Sequence, residues 1–209
     1  NIRIIAIPFG SDTYVFHETL DRSLQQALLQ TNSKFPFFQK EFYRNQKNIQ
    51  RNKRIIFKKT DFFAATFSDD IVPKWDIVRP SFLCIDTEKF KPSKKDNKSQ
   101  VLKIIHSPNH RGFKGTEFIT KAVNNLKNKG HNVELMLLEG VPNIEVARIM
   151  REEADISIDQ IIFQGYALNA MEAMASGLPV LANLEDSNII RLFNRYSFLS
   201  ECPIISVSP

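Results

Sequence analysis

Glu172 is the one carboxylate in "ALNAMEAMASG" (167–177), an Ala- and Met-rich run that follows directly on Gln164, Gly165 and Tyr166. A helix over this run rises ~1.5 Å per residue and tilts its side chains back toward its start, so a carboxylate two turns in reaches a ligand lying beside the glycine turn. An ionised carboxylate among apolar neighbours is destabilising unless its oxygens find donors. A sugar diol supplies two donors at a spacing that one carboxylate accepts together. A neighbouring backbone group or a nearby base would also satisfy it, and spacing alone does not choose. A second set lies in "SPNHRGFKGTEF", where Asn109, His110, Arg111 and Lys114 stand between an apolar strand and the first turn of a helix. A helix start exposes free N–H groups and a partial positive charge, so a phosphate is favoured there, and Arg111 and Lys114 add formal charge at the same point. The alternative is a polar loop with solvated basic residues. The G-x-x-x-x-G-K-[ST] spacing of a Walker phosphate loop is absent.

Both sets need strands and helices to hold them, and the second half of the chain supplies these in regular alternation. "VLKIIHSP" reads as a strand, "KGTEFITKAVNNLKNKG" as a glycine-terminated helix and "NVELMLLEG" as a strand. "NIEVARIMREEA" reads as a helix, "DISIDQIIF" as a strand-like run, "ALNAMEAMASG" as a glycine-terminated helix and "LPVLAN" as a strand. Such alternation predicts parallel βαβ units with both sheet faces covered, and these bind ligands outside the carboxyl ends of their strands. Upstream, "IRIIAIPFG" predicts a strand, "ETLDRSLQQALLQ" a helix, and "DFFAATF" and "DIVRPSFLCID" short strands. The polar, apolar-poor "KPSKKDNKSQ" marks a linker. The expected organisation is therefore an N-terminal domain over 1–92, a linker over 93–100 and a C-terminal domain over 101–209.

Charge is uneven along the 209 residues. Residues 1–100 carry 18 Lys and Arg against 11 Asp and Glu, and residues 101–209 carry 10 against 12. Much of the excess lies in 34–59, where basic side chains interleave with Phe, Tyr and Ile. That stretch fits a helix packed on a sheet with a solvated basic face, or a peripheral contact with an anionic membrane. Nucleic acid is not expected, because no recognised binding motif accompanies the charge. No apolar run approaches the ~18 residues of a membrane span. The start, lacking Met and opening on a strand, reads as a piece of a longer protein. Cys84 and Cys202 are far apart, which fits a reducing cytoplasmic setting. The four histidines show no ligand spacing, and no metal is expected, although Asp69–Asp70 and Asp86–Glu88 offer carboxylates.

The order "KG", "ADISIDQ" and "GYAL…EAMASGLPVLA", preceded by "CIDTEKFKP", resembles the C-terminal half of glycosyltransferase family 4, the GT-B group of retaining nucleotide-sugar transferases. The resemblance covers roughly 76–186 and is strongest in "EAMASGLPV"; the combination is specific to the superfamily, and no single piece is. It implies an α/β GT-B fold: two Rossmann-like parallel-sheet domains facing a cleft, the N-terminal, acceptor-side one incomplete and the C-terminal one holding the nucleotide sugar. "CPIISVSP" would then fall before the helices that finish the fold.

Carried over by position, the resemblance implies that Lys114 and Arg111 hold the donor diphosphate and stabilise charge on the leaving nucleotide. Glu172 would accept the ribose hydroxyls, the backbone N–H groups of Gly165, Tyr166 and Ala167 would approach phosphate or sugar, and Asn109 would lie beside them. The family pattern is Glu, seven residues, Glu, and the first position is Gln164 here, which keeps hydrogen-bonding reach and loses charge. In "PFGSD" (8–12), Phe9 stands where the family often has His, and Asp12 either faces the cleft or caps the next helix.

The expectation is a cytoplasmic, peripherally membrane-associated hexosyl- or N-acetylhexosaminyltransferase of cell-surface polysaccharide assembly. It would use a nucleoside diphosphate sugar, a glycan or lipid-linked acceptor and no separate cofactor. The alternatives are a nucleotide- or glycan-binding module without catalysis, suggested by Gln164 and Phe9, and a nucleotide-sugar epimerase.

Overall fold

A computed structural model of the chain describes residues 5–6, 47–48, 51, 62–63, 84–93, 100–185 and 201–209. The chain divides into two compact units, one of 1–30, 34–82 and 187–200, the other of 31–33, 83–186 and 201–209. In the first unit the runs expected as strands at each end supply β1 (Ile5–Ala6) and β2 (Phe62–Phe63), which pair in parallel with Ile5 opposite Phe62. Lys47, Asn48 and Arg51 are helical and exposed; the rest of the 34–59 stretch, Phe9 and Asp12 lie outside the described residues.

The second unit is an α/β domain with a five-stranded, wholly parallel, Rossmann-like sheet. Its elements run β3 (Leu102–His106), α1 (Arg111–Lys114), α2 (Thr116–Asn128), β4 (Val133–Leu137), α3 (Asn143–Glu152), β5 (Ile156–Ile158), α4 (Leu168–Ala175), β6 (Val180–Ala182) and β7 (Ile204–Ser206). The spatial order is β4-β3-β5-β6-β7. Successive strands thus extend first to one side of β3 and then to the other, which opens a crevice between the carboxyl ends of β3 and β5.

The sheet is covered on both faces because adjacent strand residues point opposite ways. Ile105 joins Phe90, Val146, Ala147, Ile149 and Met150 of the α3 side and Ala170 and Ala173 of α4 in one apolar cluster. Its neighbour Ile104 packs with Val123 of α2 and Val133 in another. Ala at 170 and 173 explains the composition of α4: side chains without bulk let the helix lie close on Ile105 and Val180. Phe90 reaches the same core from a turn in which the Asp86 carboxylate accepts the Glu88 and Lys89 N–H groups.

Three local features depart from the sequence expectation. The helix expected from Lys114 onward is broken at Gly115, whose φ of 80° separates α1 from α2. A Cβ there would lie 2.5 Å from Ile161 Cγ1, so glycine serves both the left-handed backbone and the close approach of the β5–α4 loop. The run "DISIDQIIF" is a strand only to Ile158, because Asp159 turns into a side-chain cluster and the Ile161 N–H donates to the Lys114 carbonyl. Residues 84–86, the described end of "DIVRPSFLCID", are irregular. A further strand, β7, comes from "CPIISVSP", where Ile204 aligns with Val180 in parallel.

Candidate functional site

The crevice between β3 and β5 gathers the polar side chains of the second unit. Lys114, at the end of α1, is one-tenth exposed and donates to Asp159 Oδ1 at 2.5 Å and to Gln160 Oε1 at 3.1 Å. Asp159, wholly buried, uses its other oxygen to accept the Ala167 N–H at 2.8 Å. Ala167 is the residue before α4 and offers no capping side chain, so Asp159 caps the helix from a distance, with its charge on the favourable end of the dipole. Gln160 in turn donates to the carbonyls of Gln164 and Gly165, and the Gly165 N–H donates to the Asn183 carbonyl at 2.7 Å. One buried acid thus ties the phosphate-candidate lysine to the turn that precedes the Glu172 helix.

Beneath Lys114 lies His106, the last residue of β3. Its Nδ1 faces the Ile158 carbonyl at 2.8 Å and its Nε2 the Thr116 hydroxyl at 2.9 Å. A carbonyl only accepts, so Nδ1 carries the hydrogen and Thr116 donates to Nε2. Burial is the main force lowering the His106 pKa to about 4, and the Lys114 charge adds to it against the Ile158 bond and the Asp159 charge.

Arg111 is positioned differently from Lys114. Its Nε donates to Glu117 Oε1 at 3.1 Å and its Nη1 to Glu139 Oε2 at 2.7 Å. Partial burial works against its charge, but the two carboxylates outweigh this and raise its basicity. A phosphate at Arg111 would have to share it with Glu117 and Glu139. Asn109 is exposed on the bend before α1.

Glu172 is buried on α4, and its Oε1 accepts from Asn143 Nδ2 at 3.1 Å. Of the partners left open by the sequence, the structure supplies a side-chain amide from the start of α3, 29 residues away. Asn143 Oδ1 in turn accepts from Lys89 Nζ. Burial pushes the Glu172 carboxyl above the ordinary range; the Asn143 bond and the Lys89 charge oppose this, and the Asp159 charge adds to it. Tyr166 packs against the Ile105 cluster. Of the turn N–H groups expected to face a ligand, those of Gly165 and Ala167 already donate to protein acceptors.

Two residues central to this cluster, His106 and Asp159, were not singled out from the sequence, although Asp159 falls within the "ADISIDQ" stretch. Among the described residues no group of three or more His, Cys, Asp or Glu side chains is arranged to hold a metal ion, and no helix is long and apolar enough to cross a membrane. Compared with known proteins, the sequence matches no protein-family model and no curated protein.

Proposed function

We propose that the chain is part of a retaining GT-B glycosyltransferase that moves a sugar from a nucleoside diphosphate donor to a glycan or lipid-linked acceptor of cell-surface polysaccharide. The observation that carries this reading is a pair of buried charged side chains in one doubly wound domain: the Glu172 carboxylate, hydrogen-bonded to Asn143, and the Lys114 ammonium at the switch point of the sheet. Glu172 accepts the ribose hydroxyls. Lys114 has three N–H donors, of which Asp159 and Gln160 take two, and the third meets a donor phosphate. As the glycosidic bond breaks, that contact and the Arg111 guanidinium stabilise the growing negative charge on the departing nucleotide. Neutral Gln164, beside the same turn, engages the sugar through hydrogen bonds without charge.

Replacing Glu172 by Ala removes a charged acceptor and is expected to weaken nucleoside diphosphate binding by roughly 10- to 100-fold, the range for hydrogen bonds to charged groups. A thermal-shift screen of UDP, GDP, ADP and CDP on the intact protein selects the nucleotide, since a ligand that binds only the folded state raises apparent stability. Calorimetry then compares the two proteins, and equal affinities would remove Glu172 from the site.

A second reading, a nucleotide-binding module without transfer, is favoured by the pairing of Lys114 with Asp159, which neutralises the cation that transfer would use. Release of nucleoside diphosphate from a sugar donor by the intact protein, and its increase in Gln164→Glu, separates the two.

The basic 34–59 stretch suits a peripheral position on a cytoplasmic membrane face. Sedimentation with phosphatidylserine-containing vesicles is expected to exceed that with neutral vesicles and to fall with salt; equal sedimentation would end this assignment.

A further inference from the structure

Asn143 is the first residue of α3, and the position before it is Pro142, which makes no side-chain cap. Pro142 therefore occupies the capping position, one residue before Asn143, and the Asn143 side chain is not placed to cap the helix's own N–H groups. Here it is committed elsewhere. Lys89 Nζ meets its Oδ1, and its Nδ2 meets Glu172 Oε1 at 3.1 Å. The orientation of the amide follows from donor chemistry: an ammonium can only donate, so the carbonyl end faces Lys89, and the NH2 end is left facing an ionised carboxylate that can only accept.

The residues converge from three parts of the second unit. Lys89 is set by the Asp86 turn, which Phe90 anchors in the apolar core. Asn143 begins the helix after β4, and Glu172 lies on the helix after β5. Asn143 takes Oε1, and fixing that atom fixes the plane of the carboxylate and the direction of Oε2. A diol is recognised by the direction as well as the charge of its acceptor, so a carboxylate free to rotate would recognise it less well.

We propose that Asn143, oriented by Lys89, is a positioning residue for ribose recognition: it holds the Glu172 carboxylate in the one plane that accepts a vicinal diol. This rests on the reading of Glu172 as the ribose acceptor. The Asn143 bond and the Lys89 charge also oppose the effect of burial and so favour the ionised form that the role requires.

The test uses the intact protein and the tightest-binding of UDP, GDP, ADP and CDP beside its 2′,3′-dideoxy counterpart. The wild type is expected to prefer the ribose form by about tenfold or more, as expected for a charged hydrogen bond. Asn143→Ala is expected to lose most of that preference, approaching Glu172→Ala, and Lys89→Met to lose less. Thermal stability, followed in parallel, reports any simple loosening of α3. If Asn143→Ala keeps the ribose preference while Glu172→Ala loses it, the positioning role is overturned and the Glu172 reading stands. If no nucleotide binds, or the preference is indifferent to Glu172, both fall together.

Discussion

Asp159→Ala is expected to lower the unfolding free energy of the second unit by about 3–5 kcal/mol, the range seen when one member of a buried ion pair is removed. The origin of the loss is the group left behind. Lys114, one-tenth exposed, would keep its ammonium in the crevice with Gln160 as its remaining partner. The same substitution leaves the Ala167 N–H without its acceptor and removes the negative charge at the start of α4, which a lost cap makes worse by about 1 kcal/mol. Because the larger part of the effect is a stranded charge, Lys114→Met in the Asp159→Ala background should restore part of the stability. Urea unfolding of the four proteins in this cycle measures it. Additive losses, or a single-variant loss below about 1 kcal/mol, would mean that the pair is not coupled through a dry environment.

The second large effect is on pH dependence. His106 titrates near its ordinary 6.5 in the unfolded chain and at about 4 in the folded protein. Between these values the unfolded state holds the extra proton, so acid favours unfolding. The contribution of neutral His106 is fully present above pH 6.5 and is lost as pH falls toward 4, in total about 3 kcal/mol at ~1.4 kcal/mol per unit. Glu172 acts in the opposite sense. Its folded carboxyl takes up a proton more readily than the unfolded one, so its contribution becomes more favourable as pH falls. The measurement is therefore a difference: in His106→Phe, the slope of unfolding free energy against pH between 6.5 and 4 should drop by about one proton relative to wild type. An unchanged slope would mean that the imidazole is protonated in place, with the Ile158 and Thr116 contacts rearranged.

The alternation of strands and helices in the second unit was legible in the sequence because each element carries its own local signal. Apolar runs mark β3, β4 and β6, and glycines at 130 and 177, both at positive φ, end α2 and α4 where expected. The candidate residues were legible in part. Lys114 and Glu172 could be singled out because a cation after a strand and an acid on an apolar helix are conspicuous alone. What they touch was not. The Lys114–Asp159 and Asn143–Glu172 contacts span 45 and 29 residues and arise only when strands β3, β4 and β5 are placed side by side. Asp159 was hidden for a further reason: it falls within "DISIDQIIF", read as a strand-like run, and the turn away from the sheet follows from a partner distant in sequence. His106 looked like one of four scattered histidines, although a polar ring directly after Ile104 and Ile105 of an interior strand is poorly placed for solvent.

The fifth strand sets a problem of timing. β6 is flanked by β5 and β7, and its Val180 and Ala182 are wholly buried, yet β7 is supplied only after the chain has passed through residues 187–200, which cluster with the other unit. At a synthesis rate of about 5–20 residues per second, the ribosome delivers β7 on the order of a second or more after β6. Through that interval β6 is an open edge with unpaired backbone donors and acceptors, the kind of surface that recruits strands from other chains. Completion of the second unit therefore waits on β7, and until it arrives the nascent sheet exposes β6 as an additional open edge.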